Sequence, residues 1–154
     1  MEQFKVTIFG AGNVGTALAS LLAGHQDYAV RLADCSDEAL DHSRRLGLNV
    51  ERLRCASHDD FVAALAGQDV AVAAVPENVV AKIASAAAKA GVHYLDFSKT
   101  RPDTAKALKA MDGRRAALAG CGASPGLIDN CVSELSRDFS SVEDLVIRVG
   151  AIPR

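Results

Sequence analysis

The run Lys5-Val-Thr-Ile-Phe-Gly10-Ala-Gly12-Asn13-Val14-Gly15 places three glycines at the spacing G-x-G-x-x-G. The motif closes an apolar strand pattern, opens an amphipathic helix pattern and begins a βαβ unit, which is the context in which it binds a dinucleotide. Each glycine has its own task. Gly10 permits a tight turn, Gly12 lets a pyrophosphate reach the backbone where any Cβ would push it away, and Gly15 lets helix and strand pack closely. The phosphates would then meet Asn13, Val14 and the other first-turn residues at the positive end of the helix. The competing reading is a glycine turn that only packs.

Asp34 closes the second strand 19 positions beyond Gly15. An acidic residue there accepts hydrogen bonds from the adenosine ribose and repels a 2′-phosphate. The expected cofactor is therefore NAD, with NADP possible. Asp34 could equally cap the turn before Ser36. Arg44 and Arg45 follow on a helix and are expected to face solvent. In an open α/β sheet, ligands bind beyond the carboxyl ends of the strands, where the strand order reverses. That rule selects Val75 and Pro76 beside the cofactor, then Asp96-Phe97-Ser98, then the turn Cys121 to Gly126. Asp96 is the one carboxylate placed to touch a reacting amine or imine, and so the candidate acid/base group; a turn-capping aspartate is its alternative. Cys121 and Ser124 share that rim, Cys55 is expected to face the core, and His93, inside a strand beside Tyr94, reads as an ordinary packed or edge histidine. No nucleophile, base and orienting group come together as a set.

These residues need a frame, and the rest of the chain supplies its pattern. Apolar runs near 4–9, 28–33, 50–55, 69–75, 92–97, 115–121 and 142–149 alternate with helical patterns. The first helix carries Val14, Ala17, Leu18, Leu21 and Leu22 in phase and stops at Gly24. Ser36 caps a second that ends at Gly47. Ser57 and Asp60 form a capping box for a third, with Phe61 and Leu65 facing the core and Gly67 at its end. A fourth spans Glu77 to Ala90, with Val79, Val80, Ile83 and Ala87 inward and Gly91 as its stop. Pro102 opens a fifth, closed by Gly113, and a sixth after Pro125 aligns Leu127, Ile128, Cys131 and Leu135. Strand alternating with helix means βαβ units and a parallel sheet covered on both faces. The fold class is α/β, a Rossmann-type doubly wound sheet. Residues 1–140 form the domain, and 141–154 a final strand leading toward a substrate domain. Within that strand Leu145, Ile147 and Val149 alternate with Val146 and Arg148, so one apolar face needs a partner, and a homo-oligomer is expected.

Composition narrows the function classes. The 154 residues carry 17 basic and 19 acidic side chains, net charge −2, with no basic block, which argues against a nucleic-acid binder. Five Phe, two Tyr and no Trp leave a core built from Ala, Val and Leu. The first residues lack an apolar signal core, and no apolar run is long enough to span a membrane, so a cytoplasmic location without membrane contact is expected. Cys35, Cys55, Cys121 and Cys131 show neither C-x-x-C spacing nor nearby histidines, so no metal site is expected.

Taken together, four segments resemble the saccharopine dehydrogenase family, which includes the lysine dehydrogenases. They are Gly10-Ala-Gly-Asn-Val-Gly15, Gly91-Val-His-Tyr-Leu-Asp96, Gly120-Cys-Gly-Ala-Ser-Pro-Gly126-Leu-Ile, and Ile147-Arg-Val-Gly-Ala-Ile-Pro153. The resemblance implies a nicotinamide-dependent oxidoreductase acting on the C–N bond of an amino acid by hydride transfer through an imine. Gly10, Gly12, Asn13, Val14, Gly15 and Asp34 would bind cofactor with Val75 and Pro76 beside them, and Asp96 matches the family's motif aspartate. Family members continue past this last strand into a substrate domain, so the chain alone is expected to be inactive and to meet its small-molecule amino-acid substrate only with that second domain. A free-standing NAD(H)-sensing module, like the regulatory domains of potassium transport systems, is the other reading. Those domains tend to carry a Gly-Asp pair after the third strand, where this chain has Cys55-Ala-Ser-His-Asp59.

Overall fold

The computed structural model describes residues 2–148. Its elements are β1 (Phe4–Phe9), α1 (Asn13–Ala23), β2 (Tyr28–Asp34), α2 (Asp37–Arg45), β3 (Glu51–Arg54), α3 (His58–Ala64), β4 (Val70–Ala73), α4 (Glu77–Ala90), β5 (His93–Asp96), α5 (Pro102–Leu108), β6 (Ala117–Leu118) and α6 (Leu127–Ser136). All pairings are parallel, and the strand order is β3-β2-β1-β4-β5-β6. The order reverses between β1 and β4, so their carboxyl ends diverge into a cleft.

Strand alternation sorts the side chains into two cores. Ile8, Leu32 and Val72 face one way, toward Ala19 of α1 and Leu40 of α2. Phe9, Ala33, Ala71, Ala73 and Tyr94 face the other, toward Phe61 and Leu65 at α3 and Val80, Ile83 and Ala87 of α4. A strand buried on both faces reads as a continuous apolar run, which is what the doubly wound arrangement requires.

Local signals hold where they are strong. Ser36 Oγ accepts from Ala39 N–H, and Ser57 with Asp60 forms the reciprocal capping box. Two backbone N–H donors, from Ala56 and Ser57, hold the Asp60 carboxyl below the usual range. Helix α4 runs from Glu77 to Ala90 and ends on Gly91 in the left-handed conformation.

Helix α1 departs from its apolar stripe. Gly15, Thr16 and Ala19 are buried, whereas Val14 is 58% and Leu21 71% exposed. The cause is the close approach at Gly15, whose Cβ, were there one, would run into the carbonyl oxygen of Gly10. That contact turns the small residues inward and carries Val14 about 100° away from the sheet. Helix α5 is shorter than its pattern, ending at Leu108 instead of near Gly113, and β6 keeps only two of the residues expected over 115–121. The apolar stripe of α6 finds no cover, since none of its residues is buried. Residues 142–148 form no strand, and Leu145, Val146 and Ile147 are exposed there. The remainder of the expected final strand, from Val149 on, lies outside the described residues. No helix among the described residues is long and apolar enough to cross a membrane.

Candidate functional site

A cleft of about 780 Å³ opens at the carboxyl ends of β1, β2, β3 and β4. Gly10, Gly12 and Asp34 form one side, and Val75, Pro76 and Val79 the other. Its floor and far end come from Cys55, Ala56 and Phe61, with Lys82 at the rim.

The three glycines separate by what a side chain would meet. Gly10 sits at φ +103°, and a Cβ on it would strike the Ala74 carbonyl; Gly15 is closed off by Gly10 itself. Both are needed for the fold. A Cβ on Gly12 would meet nothing within 4 Å, and the residue has ordinary extended dihedrals, φ −73° and ψ −170°. The fold does not require a glycine there. What it provides is an open cradle in front of α1, whose first turn has no side-chain cap and no acidic residue. The leading N–H groups of a helix have no intrahelical acceptor, and in α2 and α3 serines and acidic residues take up that role. Helix α1 has neither. Asn13 and Val14 do not line the cleft with their side chains; what they offer is backbone N–H at this helix end.

Asp34 serves the loop as well as the cleft. Its Oδ2 accepts from Ala11 N–H at 2.6 Å and its Oδ1 from Ser36 N–H at 2.8 Å. One carboxylate thus fixes the glycine loop to the start of α2, as the turn-capping reading expects, while remaining part of the cleft wall. Arg44 is exposed and paired with Asp41, and Arg45 is exposed on the same helix, as expected.

Asp96 lies beneath the rim. It is fully buried, and it does not line the cleft. Oδ2 accepts from the Tyr94 hydroxyl at 2.8 Å, and Oδ1 from Gly120 N–H at 2.9 Å and Ser98 N–H at 3.1 Å. Its carbonyl accepts from Cys121 N–H at 2.8 Å. These bonds tie the end of β5 to the turn that contains Cys121 and Ser124. Burial and the hydrogen bond to Asp96 push the Tyr94 phenol up, so the hydroxyl stays a donor. His93 opens β5 and is half-buried, its Nδ1 accepting from Ala116 N–H at 2.9 Å.

Residues 6–119 match the family described as the saccharopine dehydrogenase NADP binding domain, which is most of the chain. The chain belongs to this family. Solved structures share the fold at low identity. Saccharopine dehydrogenase (L-Glu forming) from Saccharomyces cerevisiae superposes with TM-score 0.73 at 17% identity, over 87% of this chain and 32% of that one. GenD2 from gentamicin A biosynthesis, solved in complex with NAD, gives TM-score 0.66 at 20% identity, over 90% and 40%. Shikimate dehydrogenase from Mycobacterium tuberculosis gives 0.60 at 18%, over 87% and 51%. The chain spans about a third of the yeast enzyme's length. As a Rossmann domain of this dehydrogenase family it binds a nicotinamide dinucleotide, and the Gly12 cradle fits the pyrophosphate.

The pattern of glycines, Asp34 and the β4 end was visible in the sequence. Cys35, Ala56, Ser57, His58, Phe61, Val79 and Lys82 were not singled out as cleft residues. The ends of β2 and β3 satisfy the same carboxyl-end rule that selected Val75 and Pro76, and applying it there would have found most of them.

Proposed function

We propose that this chain is the cofactor domain of an oxidoreductase acting on the C–N bond of an amino acid, similar to saccharopine or lysine dehydrogenase, with NAD(H) preferred. The observation that carries the reading is the open Gly12 cradle at an uncapped helix end, within a chain of this family. The nicotinamide supplies hydride transfer when bound. The residues here orient it: the α1 amides hold the phosphates, Asp34 the adenosine ribose, and Val75 and Pro76 flank the end nearer the reacting carbon. Asp96 positions the Gly120 to Gly126 turn and does not itself move a proton to substrate.

Catalysis needs a second wall. Holding the reacting carbon against the nicotinamide supplies about 7–11 kcal/mol of a barrier, and no arginine among the described residues lines this cleft to clamp an amino acid's carboxylate. The uncovered stripe of α6, with Leu127 and Leu135, and the apolar residues Leu145 to Ile147 mark the side on which a substrate domain would pack. We expect the 154-residue chain to bind NAD(H) yet give no turnover with lysine or saccharopine in a nicotinamide absorbance assay. Turnover by this chain would overturn the silent-domain reading; absence of dinucleotide binding would overturn the cofactor domain itself.

The NAD preference rests on the Asp34 charge. Asp34→Asn keeps one acceptor for the loop while removing the charge that faces a 2′-phosphate. The NADP(H) to NAD(H) affinity ratio should rise about tenfold or more, since hydrogen bonds to charged groups are worth about 1.5–3 kcal/mol. Competition titrations with both dinucleotides would show it, and an unchanged ratio would leave Asp34 as loop anchor only.

A further inference from the structure

Two cysteines meet at the adenosine end of the cleft. Asp34 and Arg54 are register partners on adjacent parallel strands, and Cys55 N–H donates to Asp34 O at 2.9 Å, carrying the pairing one step further. Cys35 therefore stands opposite Cys55. Adjacent strands lie about 4.8 Å apart, inside the Cα separation of about 4.4–6.8 Å that a disulfide bridges. Strand alternation also gives the two thiols a common face. Ala33 and Leu53, each two residues earlier, belong to the core layer beneath α3 and α4, as Cys55 does. Both cysteines line the cleft.

Their exposures differ in a useful way. Cys35 is exposed, while Cys55 is 2% exposed beside Phe61. Burial pushes the Cys55 thiol up to about 11, with Asp60 adding to the effect. One thiol is open to a reagent from solvent; the other is buried and donates to the Asp60 carbonyl at 3.8 Å. Exposed Cys121 and Cys131, at the turn after β6 and on α6, line no part of this cleft.

We propose that Cys35 and Cys55 form a peroxide-responsive dithiol site whose disulfide closes the cleft to dinucleotide. The closure rests on the cofactor reading above; the cross-link does not. The Cys35 thiolate attacks one oxygen of a hydroperoxide, the O–O bond breaks, and the other oxygen leaves as hydroxide or alkoxide and takes up a proton, giving a sulfenic acid. Cys55 Sγ then attacks Cys35 Sγ, the S–O bond breaks, and the departing hydroxide takes the Cys55 proton to leave as water. Two thiols lose two electrons and one hydroperoxide gains them. The new bond joins the ends of β2 and β3 across the floor between Asp34, Ala56 and Phe61, which the adenosine must enter.

The test uses the full chain, reduced and then treated with hydrogen peroxide. Peptide mapping should recover Cys35 and Cys55 as one cross-linked species, lighter by two hydrogens than the two reduced peptides and separated by dithiothreitol. Calorimetric affinity for NADH should fall at least about tenfold on oxidation, a change well above titration error, and return on reduction. Cys35→Ser, compared with its own untreated value, should lose the cross-link and the peroxide sensitivity together; Cys55→Ala should do the same. Recovery of the two cysteines as separate peptides overturns the site, and a cross-link with unchanged affinity overturns the closure. A reduced chain that binds neither dinucleotide overturns the cofactor reading and the closure with it, and the cross-link is then decided by mass alone.

Discussion

Asp96→Ala is expected to destabilise the chain by about 2–4 kcal/mol. The substitution orphans three donors at once, the buried Tyr94 hydroxyl and the partly buried N–H groups of Ser98 and Gly120; a buried donor left without an acceptor costs about 1–3 kcal/mol, and the two that water can partly reach cost less. Against a total of about 5–15 kcal/mol for a domain, this is a large fraction. The effect should spread from β5 into the turn at Gly120 to Gly126, because that turn has no other carboxylate holding its start. Asp96→Asn should be milder, since its carbonyl oxygen still serves Ser98 and Gly120 and the Tyr94 hydroxyl can rotate to accept from the new amide. Urea unfolding separates the cases: the midpoint should drop far for alanine and less for asparagine, with the slope unchanged. Parental stability for Asp96→Ala would return the residue to the role of acid/base candidate.

Gly12→Val should behave in the opposite way, losing function and keeping the fold. A branched Cβ at this position meets no protein atom within 4 Å, and φ −73° suits valine. The cost to stability is that of a poorer helix N-cap, about 1 kcal/mol or less. The same methyl groups fill the approach to the α1 amides, where a pyrophosphate would need to touch the backbone. Dinucleotide affinity should fall by about a hundredfold or beyond, equivalent to roughly 3 kcal/mol. No comparable separation is available at Gly10 or Gly15, where a Cβ collides with main-chain carbonyls and the fold itself would yield.

The elements legible in the sequence were those specified by local chemistry. The glycine loop, the Ser57–Asp60 box and the Glu77-to-Gly91 span of α4 each depend on residues within a few positions of one another, and each formed where the pattern placed it. Features decided by distant contacts were harder to read. The stripe on α1 pointed Val14 and Leu21 inward, but the main-chain contact between Gly15 and Gly10 set the helix rotation. The short β6 and the absence of a strand over 142–148 go with an edge that has no further strand among the described residues to pair with. Asp96 followed the rule for carboxyl-end residues in its position, yet its side chain turned under the rim because Tyr94, two residues earlier on the same face, and the Gly120 turn both present donors there. The cleft residues from Cys35 and from Cys55 to Phe61 required the strand order: only when β2 and β3 are known to lie beside β1 do their ends become one surface.

The central claim, that a dinucleotide sits with its phosphates on the N-terminus of α1 and its adenosine between the ends of β2, β3 and β4, is tested most directly by amide-resolved NMR titration of the reduced chain with NADH, run in parallel on Gly12→Val. Saturable shifts are expected for the Gly12, Asn13, Val14 and Gly15 amides together with those of Cys35, Ala56, Ser57 and Val79, with their loss in a Gly12→Val protein whose spectrum otherwise matches the parent. Saturable shifts confined to the opposite end of the sheet, around Lys5, His25 and Arg31, or an undiminished response in Gly12→Val, would contradict it.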